Sequence, residues 1–485
     1  MRTNHRSRSG SLHDERPRFH LTPPRNWMND PNGLFFVGGR LHVTYQHNPD
    51  APEWGRMHVG HADTGDLVTW RHLPLALSPD PEGPDSFGCW SGCVVDDRPV
   101  AELLYTGARL EDGLRRQSVC RATSDDPERV VWVKDPANPL IDSLPPGIDP
   151  DLFRDPFVWR DGDAWQMLLG AGTTYGYGTV LRYDSPDLRR WTYQGAILDG
   201  AELDPGTGAD GPMWECPQLL RLDGTDVLIV SVVDRAPGIR PSHVTALVGR
   251  LEGGRFHVEH AQQLGMGPDF YAPATVRMPD GRWLLFGWIP EDPPEPETDR
   301  RWAGSLTFPR IVSLLPGHRL SLALAAEVEA LRGQAVGLDT APRTVAEEPI
   351  HLDIPDGPFE LVAEVEPEAA AEFVLALRDD DPVHPLARIT YRAEDRRLTI
   401  ARRGIVGVAG RSSMSSATLP PEEGPTAHLR MLVDGSILEL ETNGHMMATV
   451  RLPPQVSVGR GVSLASHGGP TAIRSVGGWV LTAKA

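Results

Sequence analysis

The amino-acid sequence predicts an all-β protein in which a β-propeller is followed by a C-terminal β-sandwich. Short segments rich in β-branched and aromatic residues recur along the chain, and 49 glycines and 46 prolines supply turns between them. A faint repeat of about 60 residues runs through the first two thirds of the chain, which is typical of radially arranged β-sheets. Twelve of the 13 tryptophans lie at or before Trp302, so the two parts are built differently.

The repeat predicts the blades of the propeller. In three places a strand enters a polar turn and ends on a tryptophan, and the acidic Asp155 and Glu215 lie 60 residues apart. If each repeat is one blade, equivalent loops converge on the central axis, and residues distant in sequence form one site. Five such units fit between His20 and Pro309. The three matching segments are residues 60–70, 121–132 and 182–191.

Beyond residue 310 the pattern changes. Residues 322–331 (LALAAEVEAL) predict a helix that ends at Arg332-Gly333, and alternating strand patterns follow at residues 359–365 and 437–441. These strands indicate a β-sandwich packed against the propeller. The predicted division is a polar N-terminal tail, a five-bladed propeller domain, a helical linker and a β-sandwich domain, over residues 1–19, 20–315, 316–340 and 341–485.

Composition and charge exclude several functions. The chain carries 47 Lys and Arg against 66 Asp and Glu, a net charge of −19 that opposes binding to nucleic acid and to anionic membranes. Residues 1–25 contain no apolar run long enough for a signal peptide or a membrane span, which predicts a cytoplasmic protein. Four cysteines are too few for a disulfide framework, and composition leaves the oligomeric state open.

Three acidic segments carry the chemistry. They are Trp27-Met28-Asn29-Asp30-Pro31-Asn32-Gly33, Arg154-Asp155-Pro156 and Trp214-Glu215-Cys216-Pro217. Each has a carboxylate beside or close to a proline, which fixes φ and stiffens the loop that aims the carboxylate. Cleavage of a sugar acetal needs one carboxylic acid to protonate the leaving oxygen and one carboxylate to meet the oxocarbenium-like carbon. The segments therefore indicate glycosidic chemistry.

The same segments resemble the signatures of glycoside hydrolase family 32, the β-fructofuranosidases, which include invertases, sucrose-6-phosphate hydrolases, levanases and inulinases. The WMNDPNG segment matches without a gap, and the Arg-Asp-Pro and Glu-Cys segments follow in the family's order. The resemblance implies a five-bladed propeller that holds the active site, followed by a β-sandwich module.

Two carboxylates are assigned the central roles. Asp30 is the candidate nucleophile, which must be ionised, and the neighbouring Asn29 amide can donate a hydrogen bond that favours the charged form. Glu215 is the candidate general acid/base, and apolar neighbours within residues 213–216 are expected to raise its pKa. Taken without the resemblance, the first segment reads as a structural turn and Glu215 as a blade-edge residue paired with an arginine.

Asp155 is the third carboxylate. The resemblance implies that it hydrogen-bonds the fructosyl ring and stabilises the developing positive charge. Arg154 is expected to bind a sugar hydroxyl or to hold the carboxylates in place, with a local ion pair as the alternative. If Asp30 and Glu215 face one another about 5 Å apart, the enzyme retains anomeric configuration through a covalent intermediate.

The resemblance also implies the residues that contact the sugar. Flat aromatic faces suit the C–H faces of a sugar ring, and polar groups suit its hydroxyl edges. Taken singly, each aromatic residue is more often part of a core than a ligand platform. The predicted substrate-binding residues are Asn29, Gln46, Trp54, Trp90, Ser91, Arg154, Asp269, Tyr271 and Trp288.

We expect neither a catalytic metal nor a cofactor. The histidines His47, His58 and His61 lie among strand residues, and nothing else in the sequence completes a ligand set.

The sequence therefore predicts a retaining β-fructofuranosidase that cleaves sucrose, sucrose 6-phosphate or a short fructan through a fructosyl ester on Asp30. Its expected partner is a small sugar, without nucleic acid or membrane. Two alternatives stay open: a fructosyltransferase that uses the same intermediate, and a non-catalytic fructan-binding protein, which is disfavoured because all three carboxylates are present. A five-bladed arabinan-type hydrolase is less favoured because it would not need the segment at residues 27–33.

Overall fold

The computed structural model describes most of the chain as β-sheet. Within the described residues, five sheets follow one another along the first two thirds of the chain and two larger sheets make up the rest. This confirms the five-bladed propeller and the C-terminal sandwich. The described ranges are residues 16–97, 99–235, 241–267, 269–291, 301–336, 341–378, 384–403, 414–420, 423–453 and 461–483.

Each propeller blade is an antiparallel sheet whose four main strands follow in chain order. The first three blades contain β1 (Asn26–Val37), β2 (Arg40–Asn48), β3 (His58–Thr64) and β4 (Trp70–Leu77); β5 (Gly88–Asp97), β6 (Val100–Glu111), β7 (Leu114–Ser124) and β8 (Val133–Lys134); and β9 (Ile148–Asp161), β10 (Ala164–Thr173), β11 (Gly178–Ser185) and β12 (Thr192–Asp199).

The fourth and fifth blades complete the ring. A short parallel pairing of β19 with β1 joins the last blade to the first, where the Asn26 amide donates to the Arg301 carbonyl at 2.6 Å. The strands are β13 (Trp214–Leu222), β14 (Thr225–Val233), β15 (Pro241–Glu252) and β16 (Arg255–Gln263); then β17 (Tyr271–Arg277), β18 (Trp283–Ile289), β19 (Trp302–Ala303), β20 (Ser305–Leu306), β21 (Arg310–Leu315) and β22 (Arg319–Leu324).

The repeat noticed in the sequence is the turn between the third and fourth strands of a blade. Asp66 and Asp187 each accept a hydrogen bond from the backbone amide three residues later, at 2.7 and 2.9 Å, and Asp126 accepts one from the amide four residues later at 2.7 Å. Leu67 and Leu188 follow with positive φ and buried side chains. The repeat is therefore a capped turn, and in two of the blades this turn also buries one leucine side chain.

The predicted helix over residues 322–331 is wrong in its first part. Arg319–Leu324 is a strand that pairs with Arg310–Leu315, and only Ala326–Leu331 is helical, as a 3₁₀ helix. The buried leucines of Arg319–Leu324 lie two residues apart, so burial on a sheet face overrides helix propensity. The predicted domain boundary at residue 315 thus falls between two paired strands. A second 3₁₀ helix spans Gly200–Glu202, and no helix in the described ranges is long and apolar enough to cross a membrane.

The sandwich consists of two antiparallel sheets with an apolar core between them that includes Phe359, Phe373 and Tyr391. One sheet contains β23 (Arg332–Ala335), β24 (Arg343–Val345), β26 (Phe359–Pro367), β31 (Ala427–Asp434), β32 (Ile437–Thr442), β33 (Met446–Arg451) and β35 (Thr471–Leu481). The other contains β25 (Ile350–Asp353), β27 (Glu372–Arg378), β28 (Ala387–Arg392), β29 (Arg397–Arg402), β30 (Met414–Thr418) and β34 (Gly461–His467).

The sandwich docks on the propeller through backbone pairing and buried charge. Met266 of the propeller donates its amide to the Met447 carbonyl at 2.7 Å and accepts from the Thr449 amide at 2.9 Å. Arg310, fully buried, donates to Glu439 at 3.0 Å. Because a buried charge is costly unless it is paired, these contacts specify how the two units meet.

We expect Gly170→Ala to destabilise the propeller. An added Cβ at Gly170, in the third blade, would lie 2.3 Å from the backbone oxygen of Trp214 in the fourth blade, so the blades would have to separate. The predicted loss is about 1–3 kcal/mol of unfolding free energy, measured by thermal unfolding. Gly461→Ala is the matched control because an added Cβ there meets nothing within 4 Å. An unchanged Tm for Gly170→Ala would contradict this packing.

Candidate active site

The innermost strand of every blade is interrupted at an equivalent place. At each interruption one or two residues are left out of the pairing register, which is the signature of a β-bulge. Three of the bulged residues have positive φ: Asp155 at 65°, Cys216 at 47° and Ala272 at 45°. The unpaired residues are Asn29 and Asp30, Ser91, Asp155 and Pro156, Cys216 and Pro217, and Ala272 and Pro273.

These bulges place the candidate residues around one cavity. Proline suits a bulge because it has no amide to donate to the ladder, which explains why a proline recurs near the acidic residues. The cavity has a volume of about 380 Å³. Its lining residues are Trp27, Asn29, Asp30, Gln46, Trp54, Trp90, Arg115, Arg154, Asp155, Glu215, Tyr271 and Trp288.

Asp30 accepts hydrogen bonds from neutral donors. Ser91 Oγ donates to its Oδ2 at 2.9 Å and Gln46 Nε2 donates to the same oxygen at 3.1 Å. Burial and the charge of Glu215 raise the pKa of Asp30 to about 6, against the opposing hydrogen bonds from Ser91 and Asn29. Asn29 lowers the pKa of Asp30, as expected, but burial outweighs this effect. Asp30 is ionised at neutral pH only by a narrow margin.

Asp155 lies beside Asp30 and is held by backbone contacts. Its Oδ2 accepts from the Cys216 amide at 2.9 Å, and its own amide donates to Thr106 Oγ1 at 2.9 Å. Burial raises the pKa of Asp155 to about 7, and the negative charges of Glu215 and Asp30 act in the same direction. The cavity thus concentrates like charges in a poorly solvated space.

Glu215 is held at both carboxylate oxygens. Arg154 donates to Oε1 from Nε at 3.0 Å and from Nη2 at 2.7 Å, and the Tyr271 hydroxyl donates to Oε2 at 2.6 Å. The predicted apolar surroundings differ from this arrangement. Trp214 is fully buried in the core and its indole donates to the Ala209 carbonyl at 2.8 Å, so charged and polar groups surround Glu215.

Sequence reasoning missed Gln117. Its side-chain oxygen accepts from Arg154 Nη1 at 3.0 Å, which leaves the other guanidinium nitrogens aimed at Glu215. Gln117 also donates to the Asp151 carbonyl at 2.6 Å. It lies in the middle of β7 without a motif around it, so no local signal marks it.

Two further residues at the site were not predicted to act there. The Cys216 thiol lies 3.5 Å from Asp155 Oδ2 and 3.9 Å from Asp30 Oδ2, between the two carboxylates. Arg115 lines the cavity and donates to Asp151 Oδ2 at 2.6 Å. Cys216 belongs to the acidic segment at residues 214–217, whereas Arg115 reaches the cavity only because β7 lies beside β9, where Asp151 is located.

Aromatic rings form the walls of the cavity. Trp54 packs edge-on to Trp90 with ring centroids 5.8 Å apart, and Trp27 packs edge-on to Trp288 at 5.9 Å. Trp54 is 44% exposed whereas the other three are buried, so Trp54 lies where the cavity opens. Indole faces of this kind accommodate the C–H faces of a sugar ring.

Asp269 does not line the cavity, in contrast to its prediction as a substrate-binding residue. Its fully buried carboxylate pairs with Arg402 and accepts from the Arg451 amide at 2.8 Å, and both partners belong to the sandwich. The other predicted residues line the cavity, except Ser91, which lies directly behind Asp30 as its hydrogen-bond donor. Among the described residues, no group of three His, Cys, Asp or Glu side chains could hold a metal ion.

Comparison with known proteins gives two family matches. The sequence model described as the glycosyl hydrolases family 32 N-terminal domain matches residues 20–323, and the model described as the family 32 C terminal matches residues 327–479. Together they span nearly the whole chain.

Individual relatives match over the same length. The chain is 33% identical to a sucrose-6-phosphate hydrolase of Escherichia coli, with 94% of each chain covered. It is 32% identical to a sucrose-6-phosphate hydrolase of Zymomonas mobilis, covering 93% of this chain and 90% of that protein. Among solved structures, the GH32 beta-fructofuranosidase of Bombyx mori superposes with a TM-score of 0.79 at 26% identity, covering 96% of this chain and 94% of that one.

We expect Asp155→Asn to stabilise the protein in a pH-dependent way. Because the folded-state pKa of Asp155 lies above the ordinary value of 3.8, its ionisation costs stability. This cost is absent below about pH 4, grows as the pH rises, and is complete above about pH 7. The variant should gain roughly 1–3 kcal/mol at pH 8 and almost nothing at pH 4, measured by thermal unfolding. The exposed Asp163→Asn is the control. An equal gain at both pH values would contradict the charge argument.

Proposed function

The chain belongs to glycoside hydrolase family 32, and we propose that it is a retaining β-fructofuranosidase that hydrolyses sucrose or sucrose 6-phosphate. The observation that carries the proposal is the meeting of Asp30, Asp155 and Glu215 in one aromatic-walled cavity, each with different hydrogen-bond partners. Different surroundings allow neighbouring carboxyl groups to hold protons differently, so that one can act as a nucleophile and another as a general acid. Relatives named sucrose-6-phosphate hydrolase support the choice of substrate.

In the first half of the reaction, Asp30 attacks the anomeric carbon of the fructosyl unit while Glu215 protonates the departing glycosidic oxygen. The bond from that carbon to the leaving sugar breaks and an ester to Asp30 forms. Ser91 and Gln46 hold Asp30 through its Oδ2. A pKa of about 6 leaves Asp30 ionised at neutral pH, as a nucleophile must be.

In the second half, Glu215 takes a proton from water, which attacks the same carbon and releases fructose from Asp30. In the free site, a negative charge on one of the two carboxyl groups, Asp30 or Glu215, opposes a negative charge on the other. Esterification removes the negative charge of Asp30, which favours the carboxylate form of Glu215 that a general base requires. The change of role thus follows from the neighbouring charge, with Arg154 and Tyr271 holding Glu215 throughout.

Asp155 completes the proposed mechanism. Its carboxylate does not attack the sugar but hydrogen-bonds ring hydroxyls and offsets the positive charge that develops at the anomeric carbon. The aromatic walls formed by Trp54, Trp90 and Trp288 orient the ring. The cytoplasmic location stays a prediction.

Arg115 is our candidate for the leaving-group side of the cavity. It lies at the start of β7 on the same face as Gln117, since residues two apart on a strand share a face. Its guanidinium is partly exposed and donates through one nitrogen to Asp151. A guanidinium at a cavity edge suits a phosphate on the leaving sugar, because it can offer two parallel donors.

A product analysis tests the proposed function. Purified protein is incubated with sucrose, sucrose 6-phosphate, inulin and levan, and products are resolved over time. We expect free fructose from sucrose or its phosphate, released first as the anomer of retained configuration. Asp30→Asn and Glu215→Gln should each lower kcat by about a thousandfold or more. Both variants should still fold, and Asp30→Asn should not lower Tm at neutral pH, because it removes a carboxylate that burial destabilises.

The other outcomes are equally specific. Longer oligosaccharides in place of free fructose would identify a fructosyltransferase. Binding of a fructan without any product would identify a non-catalytic binding protein. Near-normal turnover in either variant would remove the assigned role of that carboxylate.

We expect Arg115→Gln to distinguish phosphorylated from free sucrose. The variant should raise KM for sucrose 6-phosphate about tenfold or more and change KM for sucrose much less, because one charge-assisted contact to phosphate is lost. The neighbouring Arg116→Gln is the matched control, since Arg116 lies next in the strand on its other face and contacts Glu111. Equal effects of Arg115→Gln on both substrates would exclude phosphate recognition by this residue.

A further inference from the structure

Three consecutive residues, Asp269, Phe270 and Tyr271, connect the interface between propeller and sandwich to the candidate active site. Asp269 is fully buried in that interface. Its Oδ2 pairs with Arg402 Nη1 at 2.5 Å and accepts from the Arg451 amide at 2.8 Å. Arg402 and Arg451 are themselves buried, so the sandwich fixes one end of this segment.

The middle residue of the segment is fixed from two sides. The guanidinium of Arg310 lies 4.7 Å from the centre of the Phe270 ring, and Arg310 in turn pairs with Glu439 of the sandwich. On another side, an added Cβ at Gly287 would lie 2.2 Å from the ring, so the backbone approaches it as closely as glycine allows. Phe270 therefore has little freedom to move independently of the interface.

The last residue of the segment contacts the candidate acid/base. Tyr271 begins β17 and its hydroxyl donates to Glu215 Oε2 at 2.6 Å, while Arg154 occupies Oε1. Tyr271 pairs with Trp288 of β18, and the bulge that follows includes Ala272 with φ of 45°. This single pairing and the segment that precedes Tyr271 together position the start of the strand. Only Phe270 separates the residue that contacts the sandwich from the residue that contacts Glu215.

We propose that Arg402 of the sandwich is a positioning residue for acid/base catalysis. It anchors Asp269, which holds Tyr271 so that the tyrosine hydroxyl stays on Glu215 Oε2. The sandwich thereby contributes to the reaction although it supplies no residue that lines the cavity among those described. This inference rests on the proposed function, because it assigns a role within that reaction.

The proposal predicts a specific change in pH dependence. Besides Tyr271, the groups that face Glu215 are Arg154, Asp155, Asp30 and the Cys216 thiol, and an exchange at Arg402 leaves all of them in place. Displacing the Tyr271 hydroxyl removes a hydrogen bond that favours the charged carboxylate. The alkaline limb of the kcat/KM profile therefore moves to higher pH.

The test compares Arg402→Met with the unchanged full chain on sucrose and sucrose 6-phosphate. We expect kcat to fall about 10- to 100-fold with KM changed less than threefold, and the alkaline limb to move upward by about half a pH unit. Arg402→Lys should restore part of the loss, since it keeps the charge. If Arg402→Met does not fold, Asp269→Asn, which keeps an acceptor for the Arg451 amide, replaces it.

A double-mutant cycle shows whether the effect passes through the tyrosine. In a Tyr271→Phe background, Arg402→Met should lower kcat no further, because the hydroxyl it positions is gone. Glu441→Ala is the matched control. Glu441 lies in the same interface, where it accepts from the Leu324 amide at 2.9 Å, and it contacts none of the three residues of the segment. It should lower Tm yet leave the pH profile unchanged and add independently to Tyr271→Phe.

The possible failures are distinguishable. If the unchanged protein releases no fructose from any substrate, the proposed function fails. If it is active and Arg402→Met matches it in kcat and pH profile, the positioning role alone fails. Independent effects of Arg402→Met and Tyr271→Phe would also overturn it, as would a pH profile that Glu441→Ala shifts by the same amount.

Discussion

The site depends on a break in hydrogen-bond pairing at an equivalent point of each innermost blade strand. In a regular strand, successive side chains alternate strictly between the two faces of the sheet. The bulges at Asp30, Asp155 and Cys216 remove this constraint locally. The positive φ of Asp155 and Cys216 costs free energy at each position, and the flanking blades hold the strands in place. The blades are thus the scaffold and the bulges are the functional feature.

Placing three carboxyl groups in one buried cavity costs electrostatic free energy. Asp30 and Asp155 each have a raised pKa because burial and like charge disfavour ionisation. Since one pKa unit corresponds to about 1.4 kcal/mol, the cavity stores a sizeable destabilisation. The positive charge of Arg154 compensates for part of this destabilisation, and Gln117 holds the guanidinium in the orientation that donates to Glu215. The same stored charge drives the proposed exchange of roles, because neutralising one carboxylate changes the preference of its neighbour.

The two structural units are less separate than their division into propeller and sandwich suggests. Their interface combines backbone pairing at Met266 with buried ion pairs, of which Arg310 with Glu439 and Arg402 with Asp269 are examples. Buried pairs of this kind add specificity more readily than stability, because their desolvation offsets much of their attraction. An interface of this type defines one relative position of the two units. The segment from Asp269 to Tyr271 runs from this interface to the cavity, so the interface can fix the position of Tyr271 in the site.

Local patterns in the sequence determined the all-β class, the blade repeat and the three proline-associated carboxylates, because a turn, a bulge or a motif depends on neighbouring residues. They were misleading at residues 322–324, where helix propensity lost to sheet pairing, and at Asp269, whose motif lies beside the site while its side chain faces the sandwich. Gln117 and Arg115 carry no local signal. Only the tertiary structure decided which side chains meet. Contacts between blades join residues far apart in the chain, as Arg154 with Gln117 at 37 positions and with Glu215 at 61, and no local pattern encodes such separations.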